Sequence, residues 1–356
     1  MSIELRIVVD AGLLLLSVIL LMFVYLLVRK IRNNRYQARK HSLIRMYEQP
    51  NSAVESYLRT GEGADLIPLA GKVDYDALEA YLSYRIEANV AAEKQRITAF
   101  VELYFAARYR KLLKHRRWSR RMGVLLHIER FRLDSMLPEL TELLQRSGIT
   151  DEERYVVYRI LALLQNEKII DILLDPQSKL PEYVYRQLLY PLEMPLFDRL
   201  ILHFGECPPV LQTNMIDILR IRHERTYPLL TLLERLIDSD KPELRIRALK
   251  ALAGFGYMSE EGRKVLEAML PALESRPWQE RLMTARLMGS VRDEAFIPYL
   301  QQLAGDSSYL IRAETAASIR QYKRGAELLK RISLEHPDRY ARDMAKEKLK
   351  ERMVWS

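Results

Sequence analysis

The sequence predicts an all-α protein: one N-terminal transmembrane helix followed by a repeat α-solenoid. Three observations predict it. Residues 11–28, AGLLLLSVILLMFVYLLV, run for eighteen residues without a charge. Only 13 of 356 residues are Gly, and no Gly/Ser/Pro-rich linker divides the chain, a composition that disfavours sandwiches and doubly wound sheets. Helical apolar patterns recur through the C-terminal half, so each pair of helices can bury its apolar face only against its neighbours.

The apolar stretch comes first. As a helix it is about 27 Å long, enough to cross a hydrocarbon core. A cleaved signal peptide would have a basic start, a shorter apolar stretch and a small-residue cleavage site. This segment instead starts with Glu4, Arg6 and Asp10, and no A-x-A motif follows. A buried core helix would not carry a wall of cations directly behind it. We therefore assign residues 1–28 as a signal anchor, with Asp10 as an interfacial carboxylate at its outer end.

Residues 29–50 form a basic juxtamembrane segment. Between residues 29 and 45 stand Arg29, Lys30, Arg32, Arg35, Arg39, Lys40 and Arg45 with no acid among them, against the single Arg6 before the span. The positive-inside rule then places the N-terminus outside and the large C-terminal part in the cytoplasm. The single Cys207 agrees, since no intramolecular disulfide can form. Cations at that position also suit anionic headgroups, each worth about 1 kcal/mol near such a surface.

Residues 51–105 read as a helical N-terminal cap. SAVESYLRTGEGADLIPLAG gives a short helix and a loop, and DYDALEAYLSYRIEANV (74–90) gives an amphipathic helix behind an Asp cap. From 106 to 356 the solenoid is expected. RRWSRRMGVLLHIERF (116–131) with SMLPELTELLQ (135–145) reads as an early repeat. DEERYVVYRILALLQ (151–165), PEYVYRQLLYPLE (181–193) and PPVLQTNMIDILRIR (208–222) have the character of second helices. YVVY alone suits a strand, but the run is too long and lacks alternation.

The repeat signal is sharpest in KPELRIRALKALAGFG (241–256), WQERLMTARLMGSV (278–291) and SYLIRAETAASIRQY (308–322). In each, an Arg is followed by small residues and then by Leu or Ile. Arg245, Arg281 and Arg312 recur at intervals of 36 and 31 residues. YPLLTLLERLI (227–237), EEGRKVLEAMLPALE (260–274) and AFIPYLQQLA (295–304) supply the intervening helices. KRGAELLKRISLEH (323–336) and DRYARDMAKEKLKERM (338–353) form a final pair, charged over most of its surface as a capping repeat should be.

These residues resemble HEAT repeats, in the short form called PBS-lyase HEAT-like, and the anchored arrangement resembles a bacterial type. The family's second helix reads V-R-x-x-A-A-x-A-L. Leu244-Arg245, Ala248, Ala251 and Leu252 fit it, as do Ile311-Arg312, Ala316 and Ile319; Arg281, Ala285 and Gly289 fit more loosely. The resemblance implies an Asp six residues before the Arg that ties the turns together. Asp306 stands at that distance from Arg312, Asp240 is one residue nearer to Arg245, and no acid precedes Arg281 there.

No catalytic constellation emerges. The six histidines (41, 115, 127, 203, 223 and 336) are scattered, with no H-E-x-x-H motif and no Cys at zinc spacing. His127 and His203 lie in apolar helical runs that suit core imidazoles. GFGY (254–257) follows a helix and lacks the G-K-[ST] of a phosphate loop, so it reads as a helix-ending turn. No cofactor, metal or small-molecule substrate is expected.

Binding is the better expectation. The net charge of +9 is concentrated in two islands on a mildly acidic body, the juxtamembrane segment and residues 108–132. The latter hold ten Lys/Arg against Glu129. Read as one helix, RYRKLLKHRRWSRR (108–121) aligns Arg110, Lys114, Arg117 and Arg121 in a single stripe, a candidate basic binding surface beside Trp118. Aromatic-interleaved sheets, helix-turn-helix motifs and zinc fingers are absent, so nucleic acid is not an expected partner. The sequence reading is thus a non-catalytic scaffold or adaptor that holds a protein partner, a membrane protein or complex, at the cytoplasmic face. A peripheral anionic-lipid sensor and a lyase-like enzyme subunit using Cys207 or a histidine are the alternatives.

Overall fold

A computed structural model describes residues 3–62, 69–88 and 91–351. The Asp10 side chain, part of the expected loop at 52–71 and the last residues of the expected C-terminal helix lie outside the described residues. Those described form helices and turns, with no strand among them. The chain divides into two compact units, Met1–Ile160 and Leu161–Ser356.

The first unit begins with α1 (Ile3–Tyr47), a single helix of 45 residues. Its apolar part is long and apolar enough to cross a membrane, with a mean hydropathy of 2.5 over the apolar window and none of it buried against the rest of the chain. α1 does not stop where the apolar residues end. It continues through the juxtamembrane cations and packs its last turns on α3 (Lys72–Ala88).

α2 (Ala53–Thr60) lies between them. Ser52 caps it by accepting from the Glu55 N–H, and Gly61, at φ +84°, ends it. α4 (Ala91–Leu113), α5 (Trp118–Phe131), α6 (Leu137–Leu144) and α7 (Asp151–Leu163) follow, and the YVVY run is helical within α7. The expected boundary at 105/106 falls inside α4, because Phe100, Val101, Phe105 and Tyr109 form one continuous buried face.

One expectation fails here. Residues 108–121 are not a single helix: α4 ends at Leu113 and α5 starts at Trp118 behind Arg117, which is extended at φ −78°, ψ 119°. The turn is held from within. The Arg121 guanidinium donates to the carbonyls of His115 and Arg116, both at 3.0 Å, and the Arg117 N–H donates to His115 Nδ1 at 2.9 Å.

The second unit shows solenoid-like packing. One row contains α9 (Glu182–Leu189), α11 (Pro209–Ile221), α13 (Pro242–Phe255), α15 (Trp278–Val291), α17 (Tyr309–Ile319) and α19 (Arg339–Lys350), each in contact with the next. The alternating helices are α8 (Lys168–Leu174), α10 (Met194–Leu202), α12 (Tyr227–Leu236), α14 (Glu260–Met269), α16 (Ile297–Leu303) and α18 (Gly325–Glu335). Pro209 and Pro242 open their helices, where a missing N–H costs nothing. Gly256, at φ +76°, ends α13 as the turn reading of GFGY expects. The expected helix over 260–274 tightens after Met269 into a 3-10 turn at Leu270–Ser275, where Pro271 removes a helical donor.

Small residues set the spacing between neighbouring helices within each row. A methyl group on Gly289 would lie 2.7 Å from the Ser318 Cα, so α15 and α17 approach as closely as they do only because residue 289 has no side chain. Gly262 likewise makes room for the buried Glu234, which accepts from the Ser259 N–H and hydroxyl at 2.6 and 2.7 Å.

Candidate functional site

The juxtamembrane cations form the first candidate surface. Arg29, Lys30, Arg32, Arg35 and Arg39 are exposed along α1, and Lys40 is half-buried. Among the described residues, Arg29, Lys30, Arg32 and Arg35 make no ion pair, while Arg39 lies 4.0 Å from Asp74. From the middle of this collar onward α1 is docked on its neighbours. The Tyr36 hydroxyl donates to Asp76, Lys72 lies over the Tyr36 ring at 5.5 Å, and Tyr47 packs on Tyr81. Burial, reinforced by Asp76, pushes Tyr36 up to about 12. Arg108 completes the joint, 3.5 Å from Asp76 and over the Tyr75 ring at 4.7 Å.

Behind the joint, Tyr109 donates to Glu79 at 2.5 Å, and Glu79 lies 3.2 Å from His127 Nε2. Burial raises the Tyr109 hydroxyl and, with Glu79 opposing, lowers the His127 imidazole. His127 stacks between Tyr109 and Phe131 as a half-buried imidazole, less enclosed than its apolar sequence context suggests. This cluster ties α3, α4 and α5 together.

The expected basic stripe is dispersed. Arg110 pairs with Glu139 at 2.9 Å, and Lys114 lies 3.5 Å from Glu142 beside an open cleft between α4 and α6. Arg117 starts α5. Arg121 is buried and makes a two-toothed ion pair with Glu153 at 2.6 and 2.9 Å. Arg121 is therefore a structural residue. The exposed cations at this corner that have no carboxylate partner among the described residues are Lys111, Arg116, Arg117 and Arg120, around a Trp118 that is 45% exposed. Arg120 touches His115 Nε2 at 3.1 Å, and desolvation together with Arg120, Arg117 and Arg121 lowers the His115 pKa.

Arg121 belongs to a recurring device. Arg121, Arg245, Arg281, Arg312 and Arg342 each stand four residues after the N-cap of α5, α13, α15, α17 and α19. Each reaches back to carbonyls of its own preceding turn: Arg245 to Ser239, Arg281 to Arg276, Arg312 to Asp306 and Ser307, Arg342 to His336 and Pro337. Three of them also grip a carboxylate farther along the chain. Arg121 holds Glu153, Arg245 holds Glu280 at 2.6 and 3.1 Å, and Arg281 holds Asp306 at 2.7 and 3.1 Å.

The carboxylate pairing implied by the resemblance is thus displaced by one repeat. Asp306 gives its side chain to Arg281 and only its carbonyl to Arg312, whose guanidinium instead lies over Tyr340 at 5.2 Å. Arg245 takes Glu280 rather than Asp240. In α11 the equivalent place holds Gln212, which donates to the Phe204 carbonyl. Glu153 was readable as the fourth member of a T-x-x-E capping box with Thr150, and the structure has both of its hydrogen bonds.

A surface missed from the sequence lies at the starts of the same helices. Tyr183, Trp278, Tyr309 and Tyr340 are exposed in the first turns of α9, α15, α17 and α19. α15, α17 and α19 are successive neighbours, so Trp278, Tyr309 and Tyr340 mark the same end of three adjacent helices, the first two one residue and Tyr340 two residues after the N-cap.

Cys207 is buried, and that burial pushes its thiol up to about 12, where little thiolate exists to attack anything. Among the described residues, no group of three or more His, Cys, Asp or Glu is arranged to hold a metal ion. No family model matches the chain, and no curated protein sequence matches it. Among solved structures, an engineered protein from a structural-genomics consortium is similar over 90% of this chain and 96% of its own, at 14% identity and a TM-score of 0.40.

Proposed function

We propose that this chain is a single-pass, membrane-anchored scaffold whose HEAT-like solenoid binds a protein partner, a membrane protein or complex, at the cytoplasmic face. The observation that carries this reading is the exposed set of Trp278, Tyr309 and Tyr340. Large aromatic side chains on a rigid frame are the residues that dominate protein–protein binding energy, and the buried arginine clamps behind them fix that frame. The Arg that recurs four residues after the N-caps of α5, α13, α15, α17 and α19 supports the HEAT-like assignment. The seven juxtamembrane cations support an N-out, C-in orientation.

An unbroken α1 suits a scaffold, because a docked helix transmits position from the bilayer to the body that a flexible linker would lose. The lyase-like alternative is disfavoured by the buried, high-pKa Cys207. The test is affinity purification of the full chain from native membranes beside Trp278→Ala/Tyr309→Ala/Tyr340→Ala. The scaffold reading expects a specific partner with the parent chain and its loss with the triple variant at unchanged stability. Equal capture by both sinks the assignment of this surface.

A further inference from the structure

The directions of α1, α3 and α4 fix the height of the second cationic cluster. α3 runs alongside α1 in the same sense: Tyr36 meets Lys72 and Asp76, and Tyr47 meets Tyr81. α4 returns antiparallel, with Arg85 against Glu93, Tyr75 against Phe105 and Asp76 against Arg108. The C-terminal end of α4 therefore points back toward the apolar part of α1.

The distances are short. From Val28, where the apolar residues end, to Tyr36 is about 12 Å along the helix. Tyr36 and Arg108 both reach Asp76 and so stand at a similar height. From 108 to Leu113, α4 climbs back by about 7 Å, and the turn at 114–117 follows. The start of α5 then lies within about 5 Å of the end of the apolar stretch, inside a headgroup layer that is roughly 5–8 Å deep on each side. The residues delivered there are Lys111, Arg116, Arg117 and Arg120 with Trp118, whose indole N–H reaches Thr150 at 3.2 Å while its ring stays partly exposed. Lys111, Arg116 and Arg117 have no ion pair among the described residues. An amphipathic aromatic ring among unpaired cations is the composition of a membrane interface.

We propose that this α4–α5 corner docks on anionic lipid headgroups of the leaflet that also receives the α1 collar. The first unit would then be attached at two points and could not swivel about α1. The inference rests on α1 crossing the bilayer, and the experiment reads that separately.

The full chain carrying Trp278→Phe and Trp355→Phe, which leaves Trp118 as its sole tryptophan, is reconstituted into nanodiscs. The discs contain phosphatidylcholine alone or mixed with phosphatidylglycerol, with and without lipids brominated near the headgroup. Trp118 fluorescence is expected to be quenched by the brominated lipid, and more strongly in the anionic discs. Adding Lys111→Glu and Arg116→Glu should lower the docked-to-free ratio by at least about twentyfold, from about fivefold per cation. Lys111→Gln/Arg116→Gln serves as a gentler second variant, and circular dichroism confirms that each is folded.

Absent quenching with α1 still resistant to carbonate extraction would overturn the docking. So would equal quenching in neutral and anionic discs that ignores charge reversal. If added polyglutamate or RNA shifts Trp118 emission while anionic discs do not, the corner serves a soluble acidic partner and the proposal falls. Release of the whole chain by carbonate would refute the spanning helix itself.

Discussion

Replacing Arg245 by Met tests whether the arginine clamps hold the solenoid together. Its partner Glu280 is fully buried at 0% exposure, and the pair makes two hydrogen bonds at 2.6 and 3.1 Å. Met fills much of the side-chain volume but leaves the carboxylate without its main cation. Stranding one member of a buried pair costs about 3–5 kcal/mol. Arg276, 3.6 Å from Glu280, remains as a weaker partner, so the lower end, about 3 kcal/mol, is expected. For a unit the size of Leu161–Ser356, each kcal/mol lowers Tm by about 2–4 °C, which gives a fall of about 6–12 °C.

Thermal unfolding of the full chain in detergent, followed by circular dichroism, reads the fall. Hydrogen exchange should place the loosening in α13 and α15. The double variant Arg245→Met/Glu280→Met removes the charge with its partner and should recover most of the loss, leaving about 1 kcal/mol for the Ser239 carbonyl that lost its donor. A single variant within about 0.5 kcal/mol of the parent, or a double variant as unstable as the two singles added, would refute the clamp as a stabilising pair.

Gly289→Ala should cost about 1–3 kcal/mol by forcing α15 from α17, whereas Gly123→Ala, in open space on α5, should gain about 0.5–1 kcal/mol; paired denaturant titrations check both. Thiol-specific labelling of native Cys207 at pH 8 should run about a thousandfold slower than in the unfolded chain, the ratio expected for a thiol moved from 9.0 to about 12. His127 is held below its ordinary pKa when folded, so it stays neutral in the native state while the unfolded chain takes up a proton. Its contribution to stability is present above about pH 6.5 and is lost as pH falls from there toward the depressed folded value. The parent should therefore lose more stability than His127→Gln between pH 7.5 and pH 5.5 in matched unfolding titrations.

The apolar segment, the helical class and the arginine period were legible because each is a local pattern. Eighteen uncharged residues state their own length, and Arg245, Arg281 and Arg312 repeat with their small-residue partners on one helix face. What escaped the sequence depends on contacts between elements. Arg121 looked like one tooth of a basic stripe because helical periodicity assumes an unbroken helix. The break at 114–117 depends on Arg121 itself folding back onto two carbonyls. The carboxylate partners were displaced because distance along the chain does not report which turn a guanidinium faces: Asp306 precedes Arg312 by six residues, yet it lies against Arg281. The exposed aromatics escaped because Trp278, Tyr309 and Tyr340 look like core residues until burial is known.

The central claim is that the solenoid holds a protein partner beside the membrane through those aromatics. Photo-crosslinking in native membranes tests it most directly, with a photoreactive phenylalanine placed in turn at Trp278, Tyr309 and Tyr340. A fourth position, the exposed Leu334 on α18, serves as the control. The account predicts one discrete crosslinked species shared by the first three positions and absent from the fourth. No discrete species at any of the three, or the same species at all four, would contradict it.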